Sequence, residues 1–194
     1  INRNGCDISA VKTDINTIIK EGRRGERIVT GLLNFSREMP LHKTPEDLPA
    51  LIDEVIISLN NRIQDKGITI YREYNASSNI RVDRAQMQQV FSNIILNSIH
   101  ATGEGGNIRI ETRMRGDNVE VEISDTGVGI PEENFKKVFN PFFTTKGIGE
   151  GTGLGLAVSY GIIKKHGGEI NLQSGVGKGT RCIITLPADG ADYA

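Results

Sequence analysis

Residues 107–125 read NIRIETRMRGDNVEVEISD. Apolar and polar side chains alternate through Ile108 and Ile110, and again through Val119, Val121 and Ile123. That is the period of a strand with one face buried and the other solvated. Gly116-Asp117 interrupts the alternation, so the pattern predicts an antiparallel hairpin over 107–116 and 118–125. Working outward, GITIYREY (67–74) and NIRVD (79–83) read as strands, followed by a helix from Arg84 to about Ala101. Beyond the hairpin come a short helix near 131–138, a helix over about 154–166, and two last strands, GEINLQS and GTRCIITLP. Strands that pair as hairpins while helices gather between them define an α+β fold. The expected architecture is a two-layer sandwich: a mixed, mostly antiparallel sheet with helices on one face.

A different pattern precedes this domain. Ile8, Val11, Ile15, Ile18, Val29 and Leu32 follow heptad spacing, with Gly22 and Gly25 where the same seam would place apolar residues. Ile19, Ile28 and Leu33 widen the stripe. A long helix over 1–39 with such a face is read as a dimerisation element outside the globular part; the competing reading is a core helix of the domain that follows. Pro40, Pro45 and Pro49 mark a linker over 40–48, and Asp47 is placed to cap a helix from about Pro49 to Lys66. The expected division is helix 1–39, linker 40–48, globular domain 49–188 and tail 189–194.

The chain has 194 residues, 37% hydrophobic, with 23 Lys+Arg against 24 Asp+Glu and a net charge of -1. Such a balance gives no electrostatic reason to expect nucleic acid or an anionic membrane as partner. No apolar run approaches 18 residues and the first residues do not resemble a signal peptide, so the expected setting is cytoplasmic. Cys6 and Cys182 show no metal-binding or redox spacing.

Three constellations carry candidate chemistry. In QMQQVFSNIILNSIHA, Met87, Val90, Phe91, Ile94, Ile95 and Ser98 share one helix face, leaving Asn93 and Asn97 one turn apart on the opposite side. Asparagine is a mediocre helix former. Two amide oxygens in register either hold a hard cation, which favours oxygen ligands, or make a polar surface pair. In ISDTGVGI (123–130), Asp125 ends a strand and meets a glycine turn. It can accept from an exocyclic amine such as that of adenine, or simply close the turn. In GEGTGLGLAVSYG (149–161), glycines fill four of the positions 149–155 and run into a helix. Bare backbone there supplies a hinge, a cradle for polyphosphate against unpaired helix amides, or both. Thr152 adds a hydroxyl, and Lys146 in FFTTKGIG a nearby cation. The loop matches neither GxxxxGK[ST] nor a dinucleotide fold.

Taken in order, NIILN with Asn93 and Asn97, DTGVGI, NPFFTTK, GEGTGLGLA and GKGT (177–180) resemble the N, G1, F, G2 and G3 boxes of bacterial sensor histidine kinases. GTGLGLAVSYGIIKKHGGEI is closest to the nitrogen-regulation subtype, and IVTGLLNFSRE (28–38) resembles the second helix of the dimerisation and phosphoacceptor hairpin. The resemblance implies an ATP-binding sandwich of the type shared with type II topoisomerases and MutL. It makes Asn97 the principal Mg²⁺ ligand with Asn93 beside it, and Asp125 the adenine contact. Gly127, Gly129 and Ile130 would lie along the ring, with Thr180 a second neighbour of the base. Gly151, Thr152, Gly153, Leu154, Gly155 and Leu156 would surround the phosphates with Lys146. Phe142 and Phe143 would anchor a lid over 139–152, or serve as ordinary core. The partners it implies are a second copy, through the first helix, and the receiver domain of a response regulator.

Departures from the family pattern are informative. The phosphoacceptor is a histidine followed by an acidic residue, and none of His42, His100 and His166 fits that description. His100 also stands where many members carry a lysine or arginine near the phosphates. The expected arrangement is therefore a piece of a larger kinase whose acceptor lies upstream, the cytoplasmic part of a membrane-bound sensor included. The alternatives are a non-catalytic nucleotide-binding scaffold and an ATPase or protein kinase acting in trans. ATP-driven clamps carry a glutamate base where this chain has Asn93, which argues against hydrolysis.

Overall fold

The computed structural model describes residues 9, 11–19, 22, 25, 40–75, 79–145 and 151–188. Five strands form the main sheet: β2 (Thr69–Tyr74), β4 (Asn107–Arg115), β5 (Asn118–Asp125), β7 (Thr180–Pro187) and β6 (Glu169–Ser174), in the order β2-β4-β5-β7-β6. β2 runs parallel to β4 and every other pairing is antiparallel, so the sheet is mixed as expected. Helices α1 (Leu48–Ser58), α3 (Arg84–Ala101) and α4 (Gly155–Lys165) supply the second layer. Their apolar stripes meet the inward residues of the sheet: Leu51, Ile52, Phe91, Ile95 and Ile163 pack with Ile108, Ile110, Val121, Ile123 and Ile184 in one core. Burying each such side chain contributes about 1.5–3 kcal/mol, which makes this cluster the main source of stability.

Four local expectations are corrected. The segment expected as a linker holds strand β1 (Thr44–Asp47), which pairs antiparallel with β3 (Asn79–Val82) in a separate two-stranded sheet. Prolines at 45 and 49 obscured it, because proline is tolerated in an edge strand of this kind. The single helix expected over 49–66 is broken at Leu59 into α1 and α2 (Asn60–Asp65). Ser58 Oγ donates to the Val55 carbonyl at 2.7 Å, a local bond that competes with helix continuation. Asp47 occupies the cap position of α1 with no side-chain capping bond. The short helix near 131–138 is a 3₁₀ turn, Glu132–Asn134, followed by further turns.

The outer face of the hairpin departs from simple alternation. Every residue from Val119 to Ile123 is buried, including Glu120 at 2% and Glu122 at 5% exposure. β5 is the central strand, so guanidiniums arch over these carboxylates from both neighbours. Arg113 and Arg115 pair with Glu120, and Arg181 Nε lies 2.8 Å from Glu122. Burial pushes the Glu120 carboxyl upward, but hydrogen bonds from Arg115 and Arg113 outweigh it and hold the group below the ordinary range.

Of the first helix, residues 11–19 are helical and their apolar positions Val11, Ile15, Ile18 and Ile19 are exposed. The rest of the dimerisation reading lies outside the described residues. No helix among the described residues is long and apolar enough to cross a membrane.

Candidate functional site

A cleft of about 770 Å³ opens between α3, the end of β5 and the start of α4. The sheet supplies its inner end. Asp125 closes β5, opposite Thr180 on β7, and its Oδ1 accepts the Gly127 amide at 2.9 Å and the Thr180 amide at 3.1 Å. Burial raises the Asp125 carboxyl above its ordinary value, opposed by Gly127, by the Ser98 hydroxyl and by Thr180. The carboxyl group thus stands half-buried in the cleft wall, where a ligand donor can reach it. Ser98 stands on the otherwise apolar face of α3, where a hydroxyl among isoleucines is the one signal in the sequence of this role.

The following loop is shaped by glycine. Gly129 has φ +74, and a methyl group there would lie 2.0 Å from the Gly175 oxygen. Only glycine combines that backbone with that approach. Ile130 is fixed by its amide, which donates to Ser174 Oγ at 2.8 Å, and Ser174 in turn donates to the Gly179 oxygen and pairs with Thr180 Oγ1 at 3.0 Å. Ser174 was not singled out by the sequence, because its partners lie on other loops. Cys182 lines the inner wall as a free thiol, with burial pushing its pKa up to about 12. It is therefore inert as a nucleophile.

The outer end belongs to the two helices. Asn93 and Asn97 both line the cleft half-buried. The Asn93 amide nitrogen donates to the Gly155 oxygen at 3.1 Å and the Ser159 Oγ at 3.3 Å, which ties α3 to the first turn of α4 and leaves Oδ1 as the end not used in these bonds. Helix α4 begins at Gly155 without a side-chain cap, and Gly151, Thr152, Gly153, Leu154, Gly155 and Leu156 all line the same wall. Thr152 Oγ1 accepts from the Leu154 amide at 3.4 Å, so the hydroxyl orders the approach to the helix. Gly153, at φ +66, accommodates the backbone of Phe142, the one non-glycine described residue with positive φ. Phe142 is 54% exposed and so is not core; Phe143 lines the cleft. Lys146, with the middle of the expected lid, lies outside the described residues. His100 is exposed on the cleft rim, and Arg62, which the sequence reading missed, is the one lysine or arginine among the described lining residues.

His166 lies away from this cleft. It is the C-cap residue of α4 and 2% exposed, so it closes the helix end as a buried cap and not as a solvated cation. Its Nδ1 meets the Ile162 oxygen at 2.8 Å and its Nε2 accepts the Asp83 amide at 2.9 Å, an arrangement that only the neutral ring allows. Burial lowers its pKa, and Lys43 adds to that effect.

A sandwich with this cleft and these glycine turns defines a class. Residues 82–190 match the model of histidine kinase-, DNA gyrase B- and HSP90-like ATPases, and the protein belongs to that family. The catalytic domain of histidine kinase ThkA, in a nucleotide-free form, is similar at TM-score 0.68 and 36% identity, over 77% of this chain and 96% of that one. ThkA in complex with the response regulator protein TrrA is similar at TM-score 0.78 and 34% identity, over 95% of this chain and 53% of that one. Sensor kinase CckA of Brucella abortus (strain 2308) is 37% identical over 190 residues, covering 90% of this chain. Within the ATPase family, then, the chain carries a catalytic domain of the sensor histidine kinase kind. It spans 20% of the length of CckA.

Proposed function

We propose that this chain binds Mg-ATP in the cleft and, within a longer protein, transfers the γ-phosphoryl group to a histidine for relay to an aspartate of a response regulator. The observation that carries the reading is the polarity of the cleft. A half-buried acceptor, Asp125, stands at its inner end, and an uncapped helix start with a bare glycine backbone stands at its outer end. The first suits an exocyclic amine and the second a polyphosphate. Gly127, Gly129 and Ile130 flank the base, with Thr180 beside it, and residues 151–156 border the phosphates.

Asn97, with Asn93 one turn before it, would hold Mg²⁺. Among the described residues no group of three or more His, Cys, Asp and Glu could bind a metal, so the ion would be held by amide oxygen, phosphate and water, a donor set that suits magnesium. When bound, the ion supplies charge neutralisation on the phosphates. The protein's own work is positioning. Asn93 locks α3 against α4, and Asp125 fixes the base. In the transfer, the bond from the β,γ-bridging oxygen to phosphorus breaks and one from an imidazole nitrogen to phosphorus forms. ADP leaves with the electron pair, and the imidazole gives up its proton. A carboxamide at position 93 cannot accept a proton from water, so transfer is favoured over hydrolysis.

The exposed apolar face of residues 11–19 supports homodimerisation through the first helix. The similarity to ThkA in its complex with TrrA supports a response regulator as partner. The test is incubation of a longer protein, in which this chain is joined to an acceptor histidine, with γ-labelled ATP. An acid-labile, base-stable label that disappears in Asn97→Ala supports the reading; ATP bound without any transfer would leave the scaffold alternative standing.

A further inference from the structure

Helix α3 ends beneath the inner side of the cleft, and its last carbonyls are claimed by one side chain. The Lys66 ammonium, just after α2, donates to the Ile99 oxygen at 2.8 Å, the Thr102 oxygen at 2.9 Å and the His100 oxygen at 3.3 Å. The carbonyl between them, Ala101, accepts instead from the Val128 amide at 3.1 Å. Gly127 lies so close that a methyl group there would stand 2.6 Å from the Ala101 oxygen. One ammonium and one loop amide thus divide the end of the helix between them. A cation also complements the negative end of the helix dipole. The Lys66 carbonyl accepts from Gly105 at 2.9 Å, which draws the turn after α3 to the same point.

We propose that Lys66 is a positioning residue for the nucleotide base. It does not line the cleft. It fixes where the Ala101 carbonyl points, and through the Val128 amide that carbonyl fixes the 125–130 loop against which the base lies. Without the ammonium, three carbonyls lose their donor and the last turn of α3 frays, taking the support of the loop with it. The inference rests on the reading that the base sits at Asp125.

Calorimetric titration of the 194-residue chain with adenosine, ADP and Mg-ATP tests it, for the original sequence, Lys66→Met and Lys66→Arg, each well below its own thermal midpoint. Lys66→Met is expected to weaken all three ligands by a common factor, on the order of tenfold. Lys66→Arg, which keeps a cation with several donors, restores most of the affinity. A lowered midpoint with unchanged Kd would overturn the proposal, since a role confined to holding the fold has that signature. So would a loss confined to ADP and ATP, which would place the effect at the phosphates. Should Lys66→Met fail to fold, Lys66→Gln, which retains one donor group, gives the same comparison. Asp125→Asn, titrated with adenosine alongside, separates the two claims. If it leaves adenosine affinity unchanged, the base reading fails; if it weakens adenosine while Lys66→Met does not, only the role of Lys66 falls.

Discussion

Replacing Asp125 with asparagine should separate affinity from stability. Oδ1 accepts the Gly127 and Thr180 amides at 2.9 and 3.1 Å, and a carboxamide oxygen keeps both bonds. What changes is the charge. Burial raises the folded pKa above its ordinary value of 3.8, so the unfolded chain loses this proton first. The fold therefore carries a penalty that grows as pH rises from 3.8 through the folded value and stays constant above it. Asparagine carries no such penalty, so at neutral pH the unliganded variant should melt no lower than the original protein. The ligand fares differently, because its amine loses a charged acceptor and meets an NH₂ group. A hydrogen bond to a charged partner contributes about 1.5–3 kcal/mol, which corresponds to roughly a 10- to 150-fold rise in Kd for ATP. Titration calorimetry gives the affinity and a thermal melt without ligand gives the stability. An unchanged Kd, or a midpoint that falls in step with affinity, would refute the reasoning.

Other outcomes follow from the same contacts. Gly129→Ala and Gly116→Ala share a positive φ, which costs about 1–2 kcal/mol for an alanine, but only Gly129 has a backbone oxygen within 2.0 Å of the added methyl. Gly129→Ala should therefore lose more denaturant resistance and ATP affinity, whereas equal losses would show that the contact is irrelevant. His166 has a folded pKa below 6.5, so its contribution is present above pH 6.5 and declines as pH falls below it. His166→Gln should flatten stability against pH below 6.5; an unaltered slope would contradict the neutral bridge between Asp83 and Ile162. Glu120→Gln should cost about 1–2 kcal/mol at pH 7. Because the folded pKa of Glu120 lies below 4.5, the difference from the original protein should shrink as pH drops through that folded value, and a gap that persists in acid would exclude the ion pairs as its source.

Periodicity along the chain was enough for much of this protein. The strand pattern of 107–125 and the 3.6-residue stripe of Met87, Val90, Phe91, Ile94 and Ile95 follow from backbone geometry, which sets side-chain direction residue by residue. Glycine positions in 125–129 and 149–155 were equally legible, since close approach and left-handed backbone demand glycine whatever the fold. Those local signals, in their order, sufficed to expect the sandwich and to nominate Asn93, Asn97 and Asp125.

Contacts between distant segments were another matter. Glu120 and Glu122 read as solvated positions and became buried only because β5 is central and arginines from both adjoining strands cover it. β1 was hidden because a strand with two nearby prolines exists only once β3 is there to pair with it. Ser98 reaches Asp125, Ser174 reaches Ile130, and Lys66 reaches a helix end more than thirty residues away. The amino-acid sequence by itself determined the periodic elements and the glycine turns, because each depends on the conformation of a few neighbouring residues. Which charge is buried, which hydroxyl holds the loop and which cation closes the helix were decided only by the tertiary structure, because hydrogen bonds and desolvation act over a few ångströms of space, whatever the separation along the chain.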